Sequence, residues 1–136
     1  MHSDDARSAP ASPLVELDVL SGSVAVVSLT GEHDLSTHEA IETGVRRATD
    51  YPLVLVDLSQ CSFIDSTVIA VIVSAHRMRV ARSARLELIL PPEARHVDRI
   101  ARMSGLSAIM PVHTSREAAL EAHAEAEGDE SRARDA

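Results

Sequence analysis

The sequence contains no lysine, so all 13 of its basic residues are arginine. This absence excludes proteins whose chemistry depends on a lysine ammonium group, such as the P-loop nucleotide-binding proteins. It also excludes a response-regulator receiver domain, which needs a lysine on its last strand. Asp57 lies at the end of a predicted strand, which is where receiver domains have their phosphoacceptor aspartate. Without the lysine, this position alone does not indicate a receiver domain.

Cysteine, aromatic residues and long apolar runs are also scarce. A single cysteine, Cys61, excludes an internal disulfide and favours a reducing cytoplasm. Tyr51 and Phe63 are the only aromatic residues, so the core must consist of aliphatic side chains. The longest apolar run, Val68–Val73, is far shorter than the ~20 residues of a membrane span, and no signal peptide is visible. We therefore expect a cytoplasmic protein without membrane contact.

Charge and composition indicate one acidic domain. The net charge of −8 argues against direct binding to nucleic acid, which requires a basic surface. Residues 1–12 and 127–136 lack an apolar face, and Gly128 is expected to end any helix, so both segments are predicted to be flexible tails. The predicted domain covers residues 13–126, and a monomer is expected.

Strand and helix patterns alternate along this domain. Leu14–Leu20 alternates apolar and acidic residues, and a turn at 21–23 predicts a hairpin with Val24–Thr30. Leu53–Leu58 is apolar up to Asp57, as in a central strand that is covered on both faces. Ser36 and Glu39 have the spacing of a capping box at a helix start.

The segment from Ser66 to about Arg82 is ambiguous, because its β-branched residues favour a strand by propensity. Val68, Val71, Ile72, Ala75 and Met78 nevertheless keep helical spacing, and a crossover between parallel strands is needed at this point. We therefore predict a helix. The predicted order is β-β-α-β-α-β-α-β-α, an α/β fold with a mixed, mostly parallel sheet of about five strands and four helices.

A polar triplet, Asp65-Ser66-Thr67, directly precedes this helix. Asp65 or Ser66 could cap the helix, Ser66 could be a nucleophile, or Ser66 could be a site of attachment. No G-x-S-x-G motif surrounds the serine and the histidines are scattered, so we expect no catalytic residue. His33 and His38 lack a convincing ligand spacing, and no dinucleotide-binding motif is present. Neither a metal nor a cofactor is therefore expected.

Three motifs together resemble the STAS-domain anti-sigma factor antagonists of bacteria. They are Leu29–Thr37 (LTGEHDLST), Val54–Thr67 (VLVDLSQCSFIDST) and Met103–Leu106 (MSGL). The resemblance extends over roughly residues 14–126. It implies a single STAS-type domain that binds an anti-sigma factor and thereby frees a sigma factor, as a non-enzymatic regulator of transcription and stress response.

The resemblance also implies a phosphorylation switch. Ser66 matches the serine that a partner anti-sigma factor with kinase activity phosphorylates, after which the antagonist lets go. Asp34, Asp65, Thr67 and Val68 would belong to the partner-binding surface. Val68 stands where the family usually has a glycine. The alternative hypothesis is therefore a divergent STAS domain that acts as a constitutive, non-phosphorylated binding or assembly module.

Overall fold

The computed structural model describes the backbone of residues 13–135 and the side chains of residues 13–129. The predicted N-terminal tail, residues 1–12, lies outside the described residues. The strands are β1 (Leu14–Val19), β2 (Val24–His33), β3 (Leu53–Asp57), β4 (Cys61–Ile64), β5 (Arg85–Ile89) and β6 (Val112–His113). The helices are α1 (His38–Arg47), α2 (Ser66–Ala81), α3 (Arg95–Met103), α4 (Leu106–Ile109) and α5 (Arg116–Asp135). A 3₁₀ turn, Leu35–Thr37, precedes α1.

The strands form one mixed sheet with the order β1-β2-β3-β5-β6, and β4 pairs with β2 outside this path. β1 and β2 are antiparallel, which confirms the predicted hairpin, and the other neighbours are parallel. All five residues of β3 are buried, as expected for a central strand. The predicted α/β fold class is therefore confirmed.

Aliphatic side chains fill both faces of the sheet. On one face, Val27 and Val56 share a core with Ile41 of α1 and Ile72 of α2. On the other face, Ala119 of α5 packs with strand residues such as Leu55. The β-branched segment is thus a helix, because its buried side chains cover the sheet while it connects two parallel strands. No helix within the described residues is long and apolar enough to cross a membrane.

Three local features differ from the sequence prediction. The strand β4 lies in what the sequence analysis treats as a connection, and the helix α4 occupies part of the segment before β6. The helix α5 continues through Gly128 to Asp135, so the expectation that Gly128 ends the helix is wrong. A helical glycine costs only ~1 kcal/mol relative to alanine, and the surrounding Ala, Glu and Arg residues are strong helix formers. The boundary at residue 127 stays a prediction.

β2 changes its parallel partner at Gly31. Its first half pairs with β3, from Val24 opposite Leu53 to Ser28 opposite Asp57, and its last three residues pair with β4. The register shifts between Gly31 and Glu32, and Gly31 has a φ of 85°. Glycine adopts this left-handed conformation without the steric cost that a Cβ atom imposes. The bulge therefore redirects the end of β2 toward β4.

An ion pair joins α5 to the end of β3. Arg116 Nε donates to Asp57 Oδ2 over 3.0 Å, and the Asp57 side chain is only 7% exposed. Asp57 Oδ1 accepts from the backbone N and the hydroxyl of Ser59 at 2.9 and 2.6 Å. Arg116 Nη2 also donates to Ser28 Oγ over 3.0 Å. These contacts give Asp57 a structural role in holding α5 on the sheet.

We predict that Arg116→Ala lowers the free energy of unfolding by about 1–3 kcal/mol, because it leaves a buried carboxylate without its cation. Denaturant unfolding of the full chain measures this loss. Arg102→Ala is the matched control, since Arg102 pairs with Asp98 over 3.0 Å but is 71% exposed. It should cost less than ~0.5 kcal/mol. Equal losses in the two variants would contradict the structural role of the buried pair.

Candidate functional site

The ends of β2 and β4 bring two aspartates to the same edge of the sheet. The strands run parallel with His33 opposite Ile64, and Asp34 and Asp65 are the residues that follow each of them. Neighbouring strands lie about 4.8 Å apart, so the two aspartates leave the sheet side by side. The structure thus brings together Asp34 and the Asp65-Ser66-Thr67 triplet, as the resemblance implies. We call these four residues the acidic edge.

Asp65 is the N-cap of α2. Its backbone is extended, with φ −104° and ψ −177°, and its Oδ1 accepts a hydrogen bond from the backbone N of Val68 over 3.0 Å. Because the cap needs only the aspartate, the Ser66 hydroxyl is not used for it. Ser66 is exposed, and its hydroxyl has no hydrogen-bond partner among the described residues. Thr67 is half-buried beside it.

Asp34 caps the 3₁₀ turn that follows β2. Its Oδ1 accepts from the backbone N and the hydroxyl of Ser36 at 2.9 and 2.6 Å. The Ser36 hydrogen bonds hold the pKa of the exposed Asp34 carboxyl below its ordinary value, so the group is a carboxylate at neutral pH. The capping box joins Asp34 to Thr37, and the prediction of a box between Ser36 and Glu39 is wrong. The intervening 3₁₀ turn explains the difference, since α1 begins only at His38.

His33 is a positioning residue for this turn. Its side chain is fully buried, Nε2 donates to the carbonyl of Thr30 over 2.9 Å, and Nδ1 lies 3.0 Å from Thr37 Oγ1. His38 Nδ1 lies 2.6 Å from the carbonyl oxygen of Leu35. The two histidines therefore each make their own local hydrogen bonds. Among the described residues, no group of three or more His, Cys, Asp or Glu side chains is arranged to hold a metal ion.

Leu35 is an exposed apolar residue next to the acidic edge, and the sequence analysis misses it. It follows Asp34 directly, and 63% of its surface is exposed. It lies six residues before Ile41, and at helical spacing this separation places it on a different side from the buried stripe of α1. This position relative to the stripe is the sequence signal that could have identified Leu35 as exposed. An exposed leucine therefore lies beside the carboxylates of the acidic edge.

The motif Met103–Leu106 joins α3 to α4. Gly105 has a φ of 83°, a left-handed conformation that ends α3, and the following Leu106 is fully buried in the core. Met103 remains 79% exposed. The glycine and leucine of this motif thus have structural roles.

The family model described as "Mlab, STAS domain" matches residues 17–111, more than half of the chain. The chain belongs to the STAS-domain family. This match includes the ends of β2 and β4 and all of α2, so the acidic edge lies within the region that defines the family. A comparison with curated proteins finds no match.

Solved structures also resemble this STAS domain. An anti-sigma factor antagonist from Mycobacterium paratuberculosis is 25% identical, with a TM-score of 0.72 over 85% of this chain and 97% of that chain. SpoIIAA in its unphosphorylated form is 20% identical, with a TM-score of 0.64 over 85% and 99% of the two chains. The Bacillus cell fate determinant SpoIIAA in its phosphorylated form is 22% identical, with a TM-score of 0.61 over 80% and 99%. These matches confirm the predicted fold.

Val68 belongs to the core of this STAS domain. Its side chain is fully buried in the same cluster as Ile64 and Ile72. The prediction that Val68 contacts a partner is therefore wrong for its side chain, which points inward from the first turn of α2. Asp34, Asp65 and Thr67 have exposed or half-buried side chains, and their partner contacts stay predictions.

We predict that Val68→Gly lowers the free energy of unfolding by about 2–4 kcal/mol, because it removes a buried side chain and adds a helical glycine. The measurement is chemical denaturation. Ala70→Gly, at an exposed position of the same helix, isolates the backbone contribution and should cost ~1 kcal/mol. If both variants lose the same stability, the Val68 side chain does not contribute to the core.

Proposed function

We propose that this STAS domain is an anti-sigma factor antagonist. It binds an anti-sigma factor of the serine-kinase type through the acidic edge and so releases a sigma factor. Phosphorylation of Ser66 then dissociates the complex. The observation that carries this proposal is the Ser66 hydroxyl at the start of a long helix. It is exposed, lies next to two aspartates and has no hydrogen-bond partner in the part of the chain that the structure describes.

The hydrogen bonds of the edge favour Ser66 over the other hydroxyl groups as phosphoacceptor. The Ser36 hydroxyl donates to Asp34 Oδ1 over 2.6 Å, and Thr37 Oγ1 donates to the carbonyl of Asp34 over 3.2 Å. Thr67 is half-buried. Transfer of a phosphoryl group requires a hydroxyl that a kinase can reach, and Ser66 meets this requirement without breaking a contact.

The fold should tolerate a phosphate on Ser66. The group adds a charge of about −1.5 to −2, and it lies at the N-terminus of α2, where free N–H groups and the helix dipole favour negative charge. This effect is worth ~0.3–1 kcal/mol. Phosphorylation therefore acts on the interface and leaves the domain folded.

The interface should not tolerate the same charge. Asp34 and Asp65 already make the edge acidic, and a partner that complements two carboxylates has no matching cation for an added dianion. Placing uncompensated charge in a desolvated interface costs several kcal/mol. Since 1.4 kcal/mol corresponds to a factor of ten, the affinity should fall by about a hundredfold or more.

Two other features support a protein partner. The exposed Leu35 supplies an apolar contact beside the carboxylates, and apolar centres with polar rims are typical of protein interfaces. The net charge of −8 opposes direct binding to nucleic acid. We propose a non-enzymatic, monomeric regulator that acts in the cytoplasm, where the single buried Cys61 stays reduced.

We predict that Ser66→Ala binds a kinase-type anti-sigma factor like the wild-type domain, whereas Ser66→Asp stays folded and binds much more weakly. Isothermal titration calorimetry measures both affinities, and circular dichroism verifies the fold. Ser83→Asp is the matched control, because it adds the same charge at an exposed position beyond the other end of α2, about 24 Å away. It should bind normally. Equal affinities of Ser66→Ala and Ser66→Asp would contradict the switch.

A constitutive binding or assembly module is the second candidate function. One observation favours it: the buried Val68 stands where the switched family members usually have a glycine. Under this alternative, both Ser66 variants bind the partner equally well. The titration of the two variants therefore decides between the candidates.

A further inference from the structure

A cleft lies between α1 and α2 and extends away from the acidic edge, toward the C-terminal ends of both helices. Each of these helices leads the chain from the end of one parallel strand toward the start of the next, so their C-terminal ends lie at the same end of the sheet. The cleft has a volume of about 230 Å³ and is lined by the facing sides of both helices. Ser66 is the first residue of α2, and the α2 residues of the cleft begin only at Val71.

One wall of the cleft is apolar. Val45 of α1 and Val71, Ala75 and Met78 of α2 line it. Met78 is 60% exposed and lies next to the buried Arg79. An apolar wall that remains open to solvent offers burial to the hydrocarbon part of a ligand.

Arg79, at the floor of the cleft, has a buried charge. It is 5% exposed, its Nε donates to the carbonyl of Arg85 over 2.8 Å, and its two Nη atoms donate to the carbonyls of Ala48 and Tyr51. Burial lowers the pKa of this guanidinium group. The carbonyls satisfy three donors but do not neutralise the charge, and no carboxylate among the described side chains pairs with it.

Two more arginines line the same end of the cleft. Arg46 is exposed and donates to Thr43 Oγ1 over 3.1 Å, and the guanidinium group of Arg82 has no partner among the described side chains. Glu42, the acidic residue of the cleft, lies 3.8 Å from His38 instead. The helix dipole favours a cation at each helix end, but it supplies no counter-ion. In a chain with a net charge of −8, three arginines that have no carboxylate partner among the described side chains thus converge on one cleft.

We propose that this cleft binds a small amphipathic anion, an alkyl chain with a carboxylate head group. The head group lies at the end formed by Arg46 and Arg82, and the chain packs on Val45, Val71 and Ala75. Guanidinium groups form paired, charge-assisted hydrogen bonds with carboxylates, which suits this arrangement. The site is independent of Ser66 and of the anti-sigma factor.

The size of the cleft selects the probe. A cavity of about 150 Å³ holds benzene, which has six non-hydrogen atoms, so a cleft of about 230 Å³ accommodates a ligand with about eight. Hexanoate meets this condition. For so few atoms, we expect a Kd on the order of 1 mM.

Titration of the full ¹⁵N-labelled chain with hexanoate, hexylamine and hexanol, followed by NMR, tests the proposal. Hexanoate should shift amide signals along the cleft-facing sides of α1 and α2, and the amine and the alcohol should bind at least tenfold more weakly. Three results would each overturn the proposal. They are an affinity for hexanol equal to that for hexanoate, shifted amide signals at another surface, and no shift at a hexanoate concentration 20-fold above ~1 mM.

The variant Arg46→Ala/Arg82→Ala tests the head-group contact without touching Arg79, whose loss would disturb the fold. It should weaken hexanoate binding at least tenfold. Arg77→Ala/Arg102→Ala removes the same charge from exposed positions outside the cleft and should leave the affinity within about twofold. Equal weakening in the two double variants would show that the net charge, and not the cleft, determines binding.

Discussion

The partner change of β2 at Gly31 is the constraint on which the acidic edge depends. If β2 kept the register that it has with β3, in which Ser28 lies opposite Asp57, it would end with His33 opposite Ser62, and Asp34 would not lie beside Asp65. The left-handed conformation of Gly31, with its φ of 85°, shifts the register and lets the end of the strand pair with β4. One backbone conformation therefore places two aspartates on neighbouring strand ends.

The cap of α2 connects this edge to the core. The Asp65 carboxylate accepts a hydrogen bond from the backbone N of Val68, and the Val68 side chain packs in the core beneath the helix. The first turn is thus held from both sides, which fixes the position of Ser66 while its hydroxyl stays free. A charged group can be added at such a position without loss of packing, since no buried contact involves it.

Much of the fold could be predicted from the sequence, because its long elements carry strong patterns. The hairpin β1–β2, the buried strand β3 and the helix α2 all follow from apolar periodicity and from the need for a crossover. The strand β4 could not be predicted, because its four residues have no clear alternation and form a strand only beside the redirected end of β2. Without β4, the sequence prediction gives no geometric reason for Asp34 and Asp65 to lie side by side.

The individual roles within the site were harder to predict. The triplet Asp65-Ser66-Thr67 shows that a cap or an attachment site is present, but only the hydrogen bonds assign the cap to Asp65 and leave Ser66 free. Helical spacing places Val68 on the same stripe as Ile72, whereas the family resemblance assigns it to the partner-binding surface, and the packing of α2 shows that the side chain is buried. The arginine-lined cleft requires two helices that are distant in sequence to lie side by side.

The central claim is that Ser66 is a free phosphoacceptor on a folded domain. The most direct test is incubation of the full chain with a kinase-type anti-sigma factor and ATP, followed by intact mass measurement and fragmentation of the modified peptide. We expect one phosphate per chain, located on Ser66, with an unchanged circular dichroism spectrum. A phosphate on Ser36 or Thr67 would contradict the account. So would a chain that stays unmodified although it binds the anti-sigma factor.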